Sequence, residues 1–264
     1  MTHPAYETLR PVTPIASVLL QDNAGPMTLD GTNTWLLRAP DASSVIVIDP
    51  GQDDDAHLDN LLAAAPEIAL VLLTHGHHDH SESAATLHER TGVAVRAIDP
   101  EHCHGGAPLE HGQILEAAGV RVSVLATPGH TADSASFVLD GVPDVGPAVL
   151  TGDTILGRGT TVVAHPDGRL GAYLDSLQLL RGLGGITVLP GHGPELPAAD
   201  QVAGMYLAHR QERLDQVRRA YASLGDAATA RQIVEVVYAD VDESVWWAAE
   251  LSEEAQLSYL RDGV

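Results

Sequence analysis

The sequence contains no lysine, and all 14 of its basic residues are arginine. Chemistry that depends on a lysine side chain, such as a Schiff base, a pyridoxal phosphate linkage or a Walker phosphate loop, is therefore excluded.

Cysteine is almost as scarce, since Cys103 is the only one in the chain. No intramolecular disulfide can form, and any metal site must use histidine and carboxylate donors. A reducing, cytoplasmic setting is expected.

Long apolar runs are also missing. No stretch approaches the roughly 18 consecutive apolar residues of a membrane span, and the N-terminal residues lack the pattern of an export signal. Cationic charge is scarce, because the formal net charge of the 264 residues is −22. Such a surface repels phosphate backbones, so broad nucleic-acid binding is disfavoured, although a local basic groove stays possible. Neither a membrane nor a nucleic acid is an expected partner of the surface as a whole.

Five short apolar runs each end in a polar cluster: "SVIVIDPG", "IALVLLTHGHHDH", "VSVLATPGHT", "PAVLTGDT" and "ITVLPGHG". Their length and β-branched content are typical of buried strands that lead into loops. Helical patterns over 54–65, 81–91 and 171–183 lie between some of them. The pattern therefore predicts an α/β (α+β) chain up to about residue 200.

The last part of the chain is helical by pattern. Residues 198–222 predict a long helix, and two further amphipathic helices follow, in "TARQIVEVVYA" and "VWWAAELSEEAQLSYLRDGV". The apolar stripe of the long helix consists of Val202, Tyr206, Leu207, Leu214, Val217 and Tyr221. We therefore predict two domains, over 1–200 and 201–264.

The stretch "THGHHDH" is typical of a metal site. His75 and His77 lie two residues apart, so their side chains can point the same way, and Asp79 with His80 forms a second pair on the next turn. The intervening His78 should point away from an ion toward solvent. Imidazole and carboxylate are the donors that zinc and similar ions take. One short loop thus supplies donors for two neighbouring ions.

Further donors follow other predicted strands. His130 in "TPGHT", Asp153 in "TGDT" and His192 in "PGHG" each come within a few residues of an apolar run. Open α/β folds place their sites where strand ends meet. If these strand ends lie together, seven donors converge at one edge, with Asp49 at the end of "SVIVID" as a partner for a ligand histidine.

The ordered set "THGHHDH", "TPGHT", "TGDT" and "PGHG" resembles the metallo-β-lactamase superfamily over about residues 12–195. The resemblance implies an αββα sandwich with a binuclear metal site at one edge. It also implies that His75, His77 and His130 hold one ion, that Asp79, His80 and His192 hold the other, and that Asp153 bridges them. The ions would be zinc, with manganese or iron as alternatives. A hydroxide between them would be the nucleophile, and Asp79 would orient it as the catalytic carboxylate.

Other segments resemble one group of that superfamily more closely, the β-lactamase-like protein 2 group, which includes a single-strand endoribonuclease. They are "GPMTLDGTNTWLL", "GRGTTVV", "YLDSL", "PGHGPEL" and "HRQERLDQV". The group carries a winged-helix-like C-terminal domain, which here would be helical with a truncated wing. True β-lactamases and nucleases with a large inserted domain fit the motifs and their spacing poorly.

Several functions stay open within this resemblance. The leading one is a binuclear hydrolase of the β-lactamase-like protein 2 type. The alternatives are a thioesterase resembling glyoxalase II, which uses the same seven ligands, a single-strand endoribonuclease, and a lactonase. The substrate would be a small ester, thioester or lactone, or a short single-stranded RNA. From another class, the C-terminal helices would be a nucleic-acid-binding regulatory module, although packing or homodimer formation is the favoured role for them.

Five residues outside the metal motifs are candidates for substrate contact: Thr32, Asn33, Arg158, Tyr173 and Arg210. Thr32 and Asn33 lie in the segment that resembles the group's active-site rim. Arg210 lies close to the apolar stripe of its helix, so a structural ion pair is favoured for it over substrate binding. The histidines and cysteine of "EHCHGG", at 102–104, resemble a metal cluster but lack a partner cluster, so a surface loop is favoured.

Overall fold

Two β-sheets form the centre of the fold in the computed structural model, which describes residues 5–140, 142, 145–225, 227–239, 242–243 and 246–262. The first sheet has six strands in chain order: β1 Arg10–Thr13, β2 Ala16–Leu20, β3 Asn33–Leu37, β4 Val45–Ile48, β5 Ile68–Leu72 and β6 Val95–Arg96. The second sheet has the order β11-β10-β9-β8-β7, with β7 Ile114–Ala117, β8 Val120–Ala126, β9 Ala135–Asp140, β10 Ala148–Gly152 and β11 Thr187–Pro190.

Helices cover the outer faces of both sheets. They are α1 Asp55–Ala64, α2 His78–Ser81, α3 Ser83–Thr91, α4 Leu170–Arg181, α5 Ala199–Leu224, α6 Ala230–Val237 and α7 Trp246–Asp262. The predicted helices at 54–65, 171–183 and 198–222 correspond to α1, α4 and α5. The predicted helix at 81–91 begins earlier, at α2, so Asp79 and His80 lie on a helical turn and not in the predicted loop.

The burial of β4 shows why the layers take this order. All four residues of "VIVI" are buried. Ile46 and Ile48 face the other sheet and pack with Trp35 and Phe137, whereas the alternate residues pack beneath α1 and α3. A strand buried on both faces needs a layer on each side. The second sheet is covered in the same way by α4 and α5, so the predicted αββα sandwich is confirmed.

The C-terminal helices pack on one another and on the sandwich. Four members of the predicted α5 stripe are buried, while Leu207 and Tyr221 are half-buried. Val217 meets Ile233 of α6 and Leu257 of α7 in a small core, and Ala255 of α7 joins the core beneath the second sheet. A capping box between Thr229 and Gln232 begins α6.

Among the described residues, no strand follows β11. The predicted truncation of the wing concerns residues after 262, which lie outside the described part of the chain. Within that part, no helix has both the length and the apolar character that crossing a membrane requires.

Candidate metal centre

The seven predicted donors lie together at one edge of the sandwich, where strands of both sheets end. Backbone hydrogen bonds join the loops after these strands: Ala135 N donates to Thr74 O (2.7 Å), Gly191 N to Gly152 O (2.9 Å) and Asn33 N to Gly191 O (2.8 Å). The two sheets are therefore locked together directly beneath the site. This connection explains how donors far apart in sequence keep a fixed geometry.

Three histidines form the first donor group. His75 Nε2 lies 3.0 Å from His77 Nδ1, and His130 Nε2 lies 3.1 Å from the same atom. His75 is buried in the loop that follows β5, and His77, directly before α2, is exposed. The donor atoms of all three lie within 4.8 Å of one another, a spacing that a single ion can bridge.

Asp79, His80 and His192 form the second donor group. His80 Nε2 and His192 Nε2 are 3.1 Å apart, and Asp79 Oδ2 lies 3.1 Å from His192 Nε2 and 3.5 Å from His80 Nε2. The α2 turn directs Asp79 and His80 toward the loop after β11. Donors from two separate loops thus form this group.

Asp153 stands between the two groups. Its Oδ1 is 3.4 Å from His80 Nε2, while its Oδ2 is 3.4 Å from His192 Nε2 and 3.8 Å from His130 Nε2. It also forms a third possible ion-binding group with His75 and His80. One carboxylate is therefore within reach of both groups.

The hydrogen bonds on the far side of the rings determine which nitrogens are free. The Nδ1 atoms of His80, His130 and His192 face Asp49 Oδ2 (2.9 Å), Val162 O (2.7 Å) and Gly31 O (3.1 Å). Carbonyl and carboxylate oxygens only accept, so these Nδ1 atoms carry the hydrogens.

His75 follows the same rule through Thr74. The Thr74 hydroxyl donates to Asp49 Oδ2 (2.7 Å), so its oxygen accepts from His75 Nδ1 at 3.0 Å. The Nε2 atoms of neutral rings held in this way point bare lone pairs at neighbouring nitrogens only 3.0–3.1 Å away. A cation or shared protons relieve that repulsion, and the donor set of imidazole and carboxylate fits a divalent ion.

The pKa shifts of the donors in the metal-free protein agree with a site that fits a divalent ion. Burial works to raise the pKa of Asp79, but His80 and His192 lower it to about 2. Burial likewise works to lower the pKa of His192, but the hydrogen-bonded carboxylates of Asp153 and Asp79 raise it to about 9. On the other side, burial and neighbouring histidines lower the pKa of His77 to about 4. Protons therefore collect in the second donor group, and a metal ion must displace them.

Two glycines, which have no side chain, leave space for their neighbours in the site. Thr74 lies beside Gly152, and the donors Asp153 and His80 lie beside Gly191. Gly152 has a φ of +48°, and a Cβ there would lie 2.5 Å from the Thr74 hydroxyl. At Gly191, a Cβ would lie 2.7 Å from both Asp153 Oδ1 and His80 Cε1. Any larger residue at these positions would displace the donors, which explains the glycine in "TGDT" and in "PGHG".

Asp49 hydrogen-bonds to His80 on the buried side of the site, where the sequence predicted a partner for a ligand histidine. It is 1% exposed and has a φ of +52°. Besides His80 Nδ1, its carboxylate accepts the backbone N–H and the hydroxyl of Thr74 at 2.7 Å each. It therefore orients His80 directly and His75 through Thr74.

Replacing Asp49 by asparagine tests this role, because asparagine tolerates the left-handed backbone. We expect Asp49→Asn to fold normally and to bind zinc about 10- to 100-fold more weakly, since the amide cannot accept all three donors at once. Competition with a chromophoric chelator measures the affinity. Asp55→Asn, an exposed acid on α1, is the matched control. Equal zinc affinity in Asp49→Asn and the native chain would contradict the role.

The five predicted substrate residues lie around the centre with their polar groups engaged. Thr32 is buried and its hydroxyl accepts from Asn23, while Asn33 donates to Pro190 O (3.0 Å) and Gly193 O (2.8 Å). Arg158 forms a bidentate ion pair with Asp30 across the rim. Substrate contact by these three residues stays a prediction.

The other two candidates are buried beneath the site. Tyr173 donates its hydroxyl to Thr154 O (2.8 Å), and Arg210 donates to Thr161 O with its guanidinium 5.1 Å from the centroid of the Tyr173 ring. Sequence reasoning did not find Thr74, Thr161 or Val162. Their only signal is proximity to a motif, because hydroxyl and carbonyl partners carry no residue pattern of their own.

Among the described residues, the remaining histidines belong to none of the donor groups. His78 is exposed, as predicted. The ring of His102 lies over Gly76, and Cys103 contacts backbone oxygens of its own loop. Among the described residues, the groups able to hold an ion contain only the seven predicted donors. Residues 102–104 form no such group within that part of the chain.

Two family models match the chain. One, described as metallo-beta-lactamase superfamily, covers residues 27–192, and the other, described as beta-lactamase associated winged helix domain, covers residues 229–261. The second match agrees with the predicted winged-helix-like character of the C-terminal helices.

Curated relatives include the beta-lactamase-like protein 2 homolog of Drosophila melanogaster, 32% identical over 92% of this chain and 86% of the relative. The atrochrysone carboxyl ACP thioesterase AacuM of Aspergillus aculeatus is 29% identical over 92% and 76%. The lactamase-like protein nscB of Neosartorya fischeri is 32% identical over 75% of this chain, which spans 59% of that relative's length.

Solved structures share the fold. A metallo-beta-lactamase family protein from Thermus thermophilus has a TM-score of 0.77 and 23% identity over 95% of this chain and 94% of its own. Another structure, solved in a di-iron-bound form, has a TM-score of 0.52 and 26% identity over 76% and 96%.

Proposed function

Because the chain belongs to the metallo-β-lactamase superfamily, whose members are hydrolases, we propose that it is a binuclear metal-dependent thioester hydrolase. The observation that carries the proposal is the arrangement of seven donors in two groups that share one carboxylate. An isolated structural ion needs only four donors. Seven donors around one carboxylate suit a pair of ions that leaves positions open for chemistry.

The proposed ligands follow the geometry. His75, His77 and His130 would hold one ion, Asp79, His80 and His192 the other, and Asp153 both. Zinc suits imidazole and carboxylate donors, with manganese or iron as alternatives, and the di-iron-bound form of a structural relative supports keeping iron among them. When bound, two such ions would activate water at neutral pH and polarise the carbonyl group under attack.

Asp79 is the proposed catalytic carboxylate. Its side chain is 18% exposed, whereas the side chains of His80 and His192 are fully buried. Asp79 therefore lies on the solvent side of its donor group. Its carboxylate is ionised at neutral pH. It can therefore accept a proton from the attacking water at a carboxylate oxygen and return it to the leaving thiol.

The substrate proposal rests on charge and on the relatives. A thioesterase aligns with 92% of this chain. The net charge of −22 opposes the binding of polyanions, and both candidate arginines, Arg158 and Arg210, already bind protein groups. A thioester or ester with little negative charge is therefore favoured over RNA.

A direct test compares substrates on one metal-loaded preparation. We expect about two equivalents of zinc per chain, and hydrolysis of S-lactoylglutathione or another thioester at a higher kcat/KM than hydrolysis of a lactone, nitrocefin or a short single-stranded RNA. Chelation should remove the activity and zinc should restore it. Asp79→Asn should lower kcat by about 10²- to 10⁴-fold with the metal retained, whereas Asp59→Asn, on the exposed face of α1, should leave kcat unchanged.

The endoribonuclease is the second candidate, because the motifs outside the metal site resemble the group that includes such an enzyme, and a beta-lactamase-like protein 2 homolog aligns with 92% of this chain. The endoribonuclease would be favoured if the protein cleaved RNA in a metal-dependent way and hydrolysed no thioester. That cleavage should be lost in Asp79→Asn. RNA binding that persists in that variant without cleavage would instead favour a nucleic-acid-binding role for the C-terminal helices. Absence of bound metal, with no activity after zinc or manganese is added, would overturn the proposal as a whole.

A further inference from the structure

We propose that Arg210 is a positioning residue that ties the C-terminal helices to the metal centre and thereby sets the affinity for one of the two ions. The connection runs through residues 154–163, here called the bracing loop. The inference rests on the proposed function only in assuming that His130 and Asp153 are metal ligands. It does not depend on the substrate.

The bracing loop starts at the donor carboxylate and is held by two helices. Directly after Asp153, Thr154 O accepts the hydroxyl of Tyr173 from α4 (2.8 Å). The hydroxyl of Tyr206, on α5, accepts from Leu156 N (3.0 Å). One turn further along α5, Arg210 donates to Thr161 O. Both α4 and α5 therefore hold the loop through its backbone.

The far end of the same loop holds a donor histidine. Val162 O accepts from His130 Nδ1 (2.7 Å), and Thr161 Oγ1 lies 3.2 Å from the same nitrogen. Arg210 binds the carbonyl group between these two contacts. A shift of that carbonyl therefore moves both oxygens that fix the ring of His130, and with them the direction of its Nε2 lone pair.

The burial of Arg210 indicates that it is fixed in this position. The residue is 6% exposed, its guanidinium lies over the Tyr173 ring, and its Nε is buried without a hydrogen-bond partner among the described residues. A charge withdrawn from water in this way has few alternative positions of comparable energy. Its hydrogen bond to the bracing loop also leaves it badly placed to bind substrate.

This connection makes the C-terminal helices part of the metal site. α5 packs against α6 and α7 through the core around Val217, and its Arg210 lies two turns before that core. Displacement of the C-terminal helices would thus be transmitted to His130 through one hydrogen-bonded carbonyl. In the second group, the bracing loop contacts the backbone oxygen of His192 through Gly157 N (2.8 Å), whereas the imidazole of His192 is held by Gly31 O, outside the loop.

The test uses two variants of Arg210 and one control. Arg210→Met keeps an unbranched stem but removes the donors, Arg210→Lys keeps one cationic donor, and Arg219→Met changes an exposed arginine on the same helix. Competition with a chromophoric chelator gives the two zinc affinities, and His130→Ala identifies which of them belongs to the His130 group. We expect Arg210→Met to weaken that affinity by about 10-fold or more, the other by less than about twofold, and Arg210→Lys to recover part of the loss.

Unchanged affinities in Arg210→Met, or equal weakening of both, would overturn the inference. If Arg210→Met does not fold, Arg210→Lys carries the same comparison. Failure of the proposed function is seen separately, because zinc affinity is measured without substrate. If the chain binds no zinc, the ¹H–¹⁵N signal of His130 Nδ1 in the metal-free protein decides the matter: it should broaden or shift in Arg210→Met and stay unchanged in Arg219→Met.

Discussion

Asp153→Asn is expected to lower the bound zinc from about two equivalents per chain to one or fewer and to lower kcat/KM by at least about 10³-fold, because a two-ion centre needs the charge that both ions share. Asp153 is the one predicted donor whose two oxygens face both groups, with Oδ1 3.4 Å from His80 and Oδ2 3.8 Å from His130. Asparagine keeps the shape but loses the negative charge and one acceptor. Metal analysis after exhaustive dialysis and steady-state kinetics measure the two effects.

Asp167→Asn is the matched control. This aspartate is exposed and lies near the same edge, where it accepts the Ala132 N–H (3.3 Å). Its substitution should leave metal content and kcat/KM unchanged. Two tightly bound ions and full activity in Asp153→Asn would exclude the shared-carboxylate assignment, even if the chain proved to be a hydrolase.

Glu253→Gln is expected to stabilise the metal-free protein by about 3 kcal/mol at pH 8 and to have little effect at pH 4.5. Glu253 lies on α7 and is 0% exposed. Gln256 donates to its Oε1 (2.8 Å), whereas Oε2 is buried without a partner among the described residues. Burial raises the pKa of this carboxyl from 4.5 to about 7, although the Tyr238 hydroxyl and the charges of Arg213 and Arg210 oppose the increase.

The sign follows from the protons bound. Between pH 4.5 and 7 the folded chain retains a proton on Glu253 that the unfolded chain releases, so the free energy of unfolding falls as the pH rises through this range. Glutamine stays neutral and keeps the acceptor for Gln256. The difference in free energy of unfolding between variant and native chain should therefore grow from near zero at pH 4.5 to a plateau above pH 8.

Urea unfolding at several pH values, with a chelator present, measures this difference. Glu254→Gln is the control, because the neighbouring glutamate is exposed on the same helix. A difference that does not change with pH would show that folding leaves the pKa of Glu253 near 4.5 and would contradict the prediction.

The candidate metal donors could be read from the sequence because each belongs to a local pattern. His75, His77, Asp79 and His80 fall in one stretch of six residues, and the other three follow apolar runs beside glycine. Buried strands and sharp turns are encoded by short-range preferences, so the strand ends were predictable. Asp49 was predictable in the same way, as the polar residue that ends a buried strand.

The roles of Tyr173 and Arg210 were not predictable. Both were candidates for substrate contact, with a structural ion pair favoured for Arg210, but their polar groups hold backbone carbonyls of residues 154 and 161. Backbone carbonyls are present at every position, so a sequence does not mark which of them accepts a bond. The α2 turn was also missed, because one turn of helix in a histidine-rich stretch has no apolar periodicity. Zinc itself, the cytoplasmic location, the boundary near residue 200 and a homodimer stay predictions.

Residue type and local spacing predicted the α/β pattern, the helical C-terminal part and seven candidate donors, while the αββα layers were implied by the resemblance to the superfamily. Only the tertiary structure decided which ring nitrogens are free and which groups hold them, and it brings the donors together in the two groups around Asp153 that the resemblance implied. Those features depend on contacts between residues as far apart as His130 and Val162, or Arg210 and Thr161. Such contacts arise only when two sheets and two layers of helices pack together, and no local pattern encodes their geometry.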